Sequence, residues 1–543
     1  MDHNALAELL FPDVTKTPDY YENLYPQRDL PEGAKVTRFA PSPTGFVHFG
    51  GLYPVLVSER LAHQSGGVFY LRIEDTDSKR EVEGAEYDLI KVFENFGINF
   101  DESIVKEGKY GPYRQSERRE IYRTYAKELV KQGKAYPCFC TEEDMQQLRE
   151  KQEELKLTPG YYGEFVKCRD LTLEQVKEKI DSGMPYVLRF RSEGNADNKI
   201  KFTDLVKGAV EVSENYIDHV LLKSDGMPTY HLAHAVDDHL MRTTHVVRGE
   251  EWLSSLPYHI QLFSALGFKL PKYLHISQLM RKEGDAKKKL SKRDKGAGMS
   301  YYISEGYPAE SFIEYIMTLL NSNFEDWRRA NPDADINDFP FSVKKMSPSG
   351  SIFDLVKLGD VSKNVVSRMT AENVYNKLTK WAEEFDKEFY DVISRDPDYT
   401  KSILQIGRGG NKPRKDLETW KDAKGYMGFF FPEYFEFTDK IEGFDKEDII
   451  ACLNDFAESY NIDDEQDVWF SKVKEVGEKH GFCPNIKEYK ANPENWKGNV
   501  GDVSSFIRLA VTGKLNSPDL CAVMKILGKD ASIERINKFK ETL

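Results

Sequence analysis

The feature that most constrains this chain is a strand, a proline-broken turn, a helix and a second strand, all between residues 35 and 77. Lys35-Val36-Thr37-Arg38-Phe39-Ala40 reads as a strand, and Pro41 and Pro43 force the backbone out of it. From about Gly50 the pattern is helical, with Leu52, Val55 and Leu56 on one face and Gly66-Gly67 as a stop. Val68 to Ile73 is a second strand, ending at Glu74-Asp75-Thr76-Asp77. Such a β-α-β unit builds a parallel sheet, whose ligands lie at the carboxyl ends of the strands. Both the turn after Ala40 and the Glu74 turn fall there.

The 543 residues, 40% of them hydrophobic, allow several cores, and roughly three to four domains is the expectation from length. No run reaches the ~18 apolar residues of a membrane helix. The N-terminus has neither the basic and apolar regions of a secretory signal nor the acid-poor composition of a transit peptide. Six cysteines (Cys138, Cys140, Cys168, Cys452, Cys483 and Cys521) are sparse for a disulfide framework and fit a reducing compartment. A cytoplasmic protein without membrane association is expected. The net charge of -14 argues against general affinity for nucleic acid, yet Lys287, Lys288, Lys289, Lys292 and Arg293 concentrate positive charge in one stretch. Charge alone would make that stretch a solvated loop.

Residues 136 to about 225 change texture, with a charged helical run (Glu142 to Leu157) and short strands such as Tyr186 to Phe190, and read as an insertion. Strand signals at Asp218 to Leu222 and His245 to Arg248, then an apolar helix over Leu256 to Leu266, predict that the interrupted sheet continues there. Beyond about residue 300 amphipathic helices dominate, for example Ala371 to Phe385, Lys446 to Ser459 and Ser532 to Leu543.

The loop from Ala40 to Gly51 joins a strand to a helix, where free N–H groups and the helix dipole favour an anion. Gly51 and Leu52 stand where a P-loop needs Lys and Ser/Thr, and no GxGxxG is present. What remains is a proline-rich turn with His48 before tight glycines, a combination suited to placing an imidazole against a phosphate.

At these residues the chain resembles the class I aminoacyl-tRNA synthetases, in the form carried by bacterial glutamate-tRNA ligases. Arg38-Phe39-Ala40-Pro41-Ser42-Pro43-Thr44-Gly45 with His48-Phe49-Gly50-Gly51 is similar to the first family signature, and Lys289-Leu290-Ser291-Lys292-Arg293 to the second, Lys-rich one. Arg72 to Asp77, Gly111 to Arg118, and Tyr230 with Val236 to Met241 match between them, so the resemblance spans about residues 35 to 300. It implies an α/β fold: a Rossmann-like parallel-sheet catalytic domain, an inserted acceptor-stem domain and an all-helical anticodon-binding region. The expected boundaries are an N-terminal extension (1–33), catalytic halves (34–135 and 218–300), the inserted acceptor-binding domain (136–217), a stem-contact linker (301–350) and the anticodon-binding region (351–543).

The resemblance implies ATP-dependent ligation of L-glutamate to the 3′-terminal adenosine of tRNA(Glu) through a glutamyl-adenylate, with Mg2+, in a monomer that charges tRNA(Glu) alone or tRNA(Gln) as well. His48, Lys289 and Lys292 would be catalytic. ATP would meet His48, Gly50, Glu251, Met280, Lys289, Leu290, Ser291, Lys292 and Arg293. Glutamate would lie among Arg38, Ala40, Ser42, Glu74, Tyr230, His234 and Arg248, with Arg38, Arg248 and the Tyr230 hydroxyl on its side-chain carboxylate and Ser42 and Glu74 on its amino end. Arginine suits the choice, because a guanidinium pairs with a carboxylate whereas the amide of glutamine turns an NH2 toward it. His234 departs from the family pattern, in which Asn or a small residue is usual. Cys138, Cys140 and Cys168 with Asp170 resemble the zinc knuckle of some members, whose last ligand is usually His. Arg408, Lys412, Arg414 and Lys415 form a basic, irregular segment suited to an anticodon loop, or to a plain solvated loop. The competing readings are a tRNA-free glutamyl transferase or tRNA-base modifier, a non-catalytic tRNA-binding paralogue, and a glutamine-specific ligase.

Overall fold

The computed structural model describes residues 1–43, 49–77, 82, 84–283, 286–289, 298–410 and 412–543. The chain forms two compact units: residues 1–299 with 316–354, and residues 300–315 with 355–543.

In the first unit the strands are β1 (Val36–Phe39), β2 (Val68–Leu71), β3 (Ala135–Cys138), β4 (Val187–Phe190), β5 (Lys199–Asp204), β6 (Gly208–Ser213), β7 (Val220–Leu222), β8 (His245–Gly249), β9 (Lys272–Ile276), β10 (Met280–Glu283) and β11 (Ala286–Lys289). The main helices are α1 (His3–Leu10), α2 (Pro18–Leu24), α3 (Phe49–His63), α4 (Ala85–Asn95), α5 (Arg119–Lys131), α6 (Glu142–Glu154), α7 (Leu173–Asp181), α8 (Tyr230–Leu240) and α9 (Leu256–Ala265). The expected β-α-β unit is present as β1, α3 and β2, with β1 and β2 parallel from Val36 opposite Val68 to Phe39 opposite Leu71. Gly66 takes a φ of 67°, and a side chain at Gly67 would collide with the Lys35 backbone, so this glycine pair permits the tight return into β2. β8 and β9 form a second parallel pair. The two pairs are tied where the Thr244 N–H donates to the Val36 carbonyl (2.9 Å) and the Thr244 hydroxyl accepts from the Val36 N–H (2.8 Å).

Only part of the sheet resumes where the sequence predicts. β7 pairs antiparallel with β4, which pairs antiparallel with β3, so Val220–Leu222 completes a three-stranded sheet with the preceding insertion. Three apolar residues carry no information about which neighbour they will join, and the parallel layer is resumed by β8 instead. The N-terminal stretch read as a polar extension also differs. Asp2 caps α1 by accepting from the Asn4 and Ala5 N–H groups, and Leu6, Ala7, Leu10, Phe11, Val14, Tyr21 and Tyr25 are buried in the core that includes α5. At about 1.5–3 kcal/mol for each large apolar side chain, that burial holds two short helices that would be marginal alone.

The second unit is built from helices, among them Leu355–Arg368, Ala371–Phe385, Lys446–Ser459, Gln466–Lys479, Val500–Thr512 and Lys529–Thr542, with one two-residue parallel pairing of Phe482–Cys483 on Gly498–Asn499. Its core is aromatic and aliphatic, including Leu378, Trp381, Phe389, Phe456, Trp469, Phe482 and Phe506. Phe429, Phe430 and Phe431 belong to it. Among the described residues no helix is long and apolar enough to cross a membrane.

Candidate active site

The carboxyl ends of β1, β2, β8 and β9, with the first turn of α8, bring together the residues expected to hold an amino acid. Arg38 is the third residue of β1, Glu74 follows β2, and Arg248 is the fourth residue of β8. Tyr230 opens α8, and the helical repeat sets His234 and Asp238 on the face below it.

Arg38 is 5% exposed, and its Nε lies 3.3 Å from each oxygen of Asp238. Arg72, fully buried, donates from Nη1 to Asp238 Oδ1 at 2.8 Å and from Nη2 to Glu74 Oε1 at 3.3 Å. Beneath them Asp237 accepts from Gln115 (2.8 Å), Arg118 (2.7 Å) and Tyr122 (2.8 Å). Burial opposes ionisation of Asp238, but Arg38 and Arg72 overcome it and hold that carboxyl well below the usual range. Glu74 goes the other way: burial pushes it up to about 7, against the opposing pull of Arg72 and Arg38. A carboxyl so placed gains from an ammonium group beside it.

Arg248 differs from Arg38. It is 6% exposed, its Nε donates to His275 Nε2 (2.9 Å), and its Nη1 donates to His259 Nδ1 (3.1 Å). Nη2 donates to the Trp252 carbonyl at 3.4 Å, and the guanidinium lies 4.6 Å from the centre of the Tyr273 ring. Among the described residues no carboxylate forms an ion pair with it. Tyr230 stands beside it, its ring tilted 37° against Trp252 at 4.3 Å, its hydroxyl pushed up by burial with Arg248 pulling the other way. A buried cation without a counter-charge costs several kcal/mol unless an anion completes it.

His234 is fully buried, with Nδ1 2.7 Å from Asp238 Oδ2 and Nε2 2.8 Å from the Tyr273 hydroxyl. Burial lowers it to about 4, so it is neutral at physiological pH. Its ring is stacked 5.7 Å from that of Tyr230. Ala40 and Ser42 lie in the turn after β1, with Ser42 exposed. Glu251 is exposed, its carboxylate over Gly249 and accepting from Gln278 Nε2 at 2.7 Å. Met280 opens β10 and is joined through its backbone to Ser351 (2.9 Å) and Phe353 (2.7 Å). Gly50 lies in the first turn of α3. Lys289 ends β11, which pairs with β10 where sequence alone suggests a loop. His48, Leu290, Ser291, Lys292 and Arg293 lie outside the described residues.

The three thiols Cys138, Cys140 and Cys168 converge with their sulfur atoms within 4.8 Å of one another, and Cys140 lies 3.8 Å from Cys168. Asp170 is not brought to them: its side chain is 81% exposed and pairs with Arg191 at 3.1 Å. In the basic segment, Arg408 donates to the carbonyls of Leu404 (2.7 Å), Val366 (2.6 Å) and Met369 (3.2 Å), and Arg414 pairs with Asp416 (2.6 Å). Lys412 and Lys415 remain exposed.

The family pattern described as tRNA synthetases class I (E and Q), catalytic domain, matches residues 35–330, and one described as an anticodon binding domain matches residues 487–540. Relatives named glutamate–tRNA ligase are 50% identical in Clostridium perfringens, over 99% of this chain and 100% of the relative, and 44% identical in Sorangium cellulosum, over 98% and 100%. The chain belongs to this class I synthetase family. A crystal structure of a glutamate tRNA ligase from Elizabethkingia meningosepticum, in complex with its amino acid, aligns with a TM-score of 0.75 at 30% identity, over 94% of this chain and 99% of that one. The synthetase thus has the α/β fold with a helical C-terminal region that its motifs suggest. The motifs gave no signal for Trp252, His259 and His275, which surround Arg248. They are single residues in apolar or loop segments, and only the fold assembles them.

Proposed function

We infer that this protein is a glutamate–tRNA ligase, which activates L-glutamate with ATP and transfers it to the 3′-terminal adenosine of tRNA(Glu). The observation that carries the amino-acid choice is Arg248, a buried guanidinium that forms no ion pair with a carboxylate among the described residues, at the end of a parallel strand beside Tyr230. The side-chain carboxylate of glutamate supplies the missing charge, with Tyr230 donating to it. Arg38 contributes its remaining face, since Asp238 already engages it. Ser42 and Glu74 receive the α-ammonium, with Ala40 and His234 lining the rest. Glutamine would leave the guanidinium facing an NH2 group, a mismatch worth several kcal/mol in a buried site.

The α-carboxylate is already ionised at neutral pH, so it attacks the α-phosphorus of ATP without a general base, and diphosphate leaves. Charge grows on the phosphate oxygens in that step, and His48, Lys289 and Lys292 are the donors we assign to it; Mg2+ carried with ATP would supply further positive charge for the diphosphate. Gly50, Glu251, Met280, Leu290, Ser291 and Arg293 complete the nucleotide site. The 2′-hydroxyl of the terminal adenosine then attacks the adenylate carbonyl, and AMP leaves. The insertion over residues 136–217 receives the acceptor end, and the region from 351 reads the anticodon, with Lys412 and Lys415 on its exposed basic face and Arg408 and Arg414 shaping that segment. The three converging thiols suit three corners of a tetrahedral zinc site that would fasten the insertion, and Asp170, committed to Arg191, is not needed for them. The protein acts as a cytoplasmic monomer.

The test is charging of total tRNA with labelled glutamate, ATP and Mg2+, followed by separation of the charged species by anticodon. Label on tRNA(Glu) alone supports a discriminating ligase, and label on tRNA(Gln) too makes it non-discriminating. No label on tRNA sinks the ligase reading and favours a non-catalytic paralogue.

A further inference from the structure

A guanidinium has only donors, so each ring nitrogen that bonds it must be an unprotonated acceptor. His275 uses Nε2 for Arg248, which leaves its proton on Nδ1, donated to Asp204 Oδ2 at 2.8 Å. His259 uses Nδ1, which leaves its proton on Nε2, donated to His231 Nδ1 at 2.9 Å. The Asp204 carboxylate, which only accepts, fixes the tautomer of His275, and the Arg248 donor fixes that of His259. Below the guanidinium the Tyr273 ring is itself stacked on His275, 5.7 Å apart at 15°. Arg248 is thus fixed on two edges and one face.

The contrast with Arg38 gives this arrangement its meaning. A carboxylate such as Asp238 orients an arginine but also neutralises it. A neutral imidazole orients it and leaves the charge whole. Burial keeps His259 well below its ordinary range and His275 below it, and both face the Arg248 cation, which opposes a second positive charge. His275 also faces Asp204 and Lys207, and His259 faces His231, His234 and Asp238.

We propose that His259 and His275 are positioning residues for Arg248, holding its guanidinium through neutral ring nitrogens so that its undiminished charge meets the side-chain carboxylate of the amino acid. This rests on the assignment of Arg248 to that carboxylate. Neither histidine touches substrate. Their effect lies on amino-acid affinity and on the preference for glutamate over glutamine, not on phosphate chemistry.

The experiment uses the full-length protein with tRNA, ATP and Mg2+, and measures kcat, KM for glutamate, KM for ATP and the glutamate-to-glutamine preference. His275→Phe and His259→Phe keep a ring and remove the acceptor. His275→Gln and His259→Asn return an oxygen near the lost nitrogen. The phenylalanine variants should raise KM for glutamate about 10- to 100-fold, narrow the preference, and leave kcat and KM for ATP within about threefold. The amide variants should recover most of that loss. Unchanged glutamate KM in the phenylalanine variants, or amide variants as impaired as they are, would overturn the proposal in favour of packing alone. Arg248→Ala separates the two levels: if it leaves glutamate KM unchanged, the assignment of Arg248 itself falls. Should the phenylalanine variants fail to fold, 15N spectra of histidine-labelled wild-type protein near neutral pH decide, with resonances assigned through the amide variants. Unprotonated His275 Nε2 and His259 Nδ1 are expected, and a proton on either overturns the proposal.

Discussion

The two compact units bury different kinds of side chain. The helical unit packs Leu378, Trp381, Phe389, Phe456 and Phe506 against one another. The α/β unit, at the ends of β1, β2 and β8, buries Arg38, Arg72, Arg118, Asp237, Asp238, His234, His259 and His275. Apolar burial stabilises at about 25 cal/mol per Å2, whereas a buried ion pair often does no better than a hydrophobic replacement. A region that buries so many charged and titratable groups is therefore organised for something other than stability. That region holds Arg248, the cation we propose for the side-chain carboxylate of the amino acid.

Removing one buried side chain from each region should separate their roles. Asp238→Asn leaves Arg38 and Arg72 facing a neutral amide, and should lower unfolding stability by about 3–5 kcal/mol in denaturant titration while also raising KM for glutamate. Phe506→Ala should cost a similar 3–5 kcal/mol through cavity formation, yet leave KM for glutamate within about twofold. If Phe506→Ala moved glutamate affinity as much as Asp238→Asn, the division of labour would be wrong.

Acid should separate the units next. Burial lowers His219, His234 and His245 to about 4 and His231 to about 3, so unfolding takes up protons below the ordinary histidine value of 6.5. Their contribution is full above pH 6.5 and is lost as pH falls toward 4, by up to about 1.4 kcal/mol per pH unit for each. Glu74, raised to about 7, acts oppositely: its contribution is full below 4.5 and lost as pH rises to 7. Four histidines outweigh one carboxyl, so these groups make the α/β unit less stable from pH 6.5 toward 4. The helical unit carries one histidine, His480. Hydrogen exchange followed against pH should show the loss concentrated in residues 219–275, and a uniform loss would contradict it.

The smallest effect concerns metal. Cys168→Ser should reduce bound zinc per chain, and Asp170→Ala should leave it unchanged, because that carboxylate faces Arg191. Equal losses from both would return Asp170 to the ligand set.

Much of this was legible in the sequence, unevenly. The β1-α3-β2 unit was readable because periodicity, prolines and glycines agree at each boundary. Arg38, Glu74, Tyr230 and Arg248 could be singled out because they sit in or beside motifs, and the fold places them near one another. The partner of β7 was not readable, since three apolar residues suit either sheet. The N-terminal helices were hidden by their short length, eight and seven residues, with an apolar face visible only as Leu6, Ala7 and Leu10. His259 and His275 were unreadable for a different reason: each looks like an isolated histidine in an apolar run, and its meaning is the distance to Arg248.

Steady-state charging by Arg248→Ala decides whether Arg248 reads the carboxylate of glutamate. We expect kcat/KM for glutamate to fall about 100- to 1000-fold while KM for ATP stays within about twofold. Glutamate KM and kcat both close to wild type would contradict it.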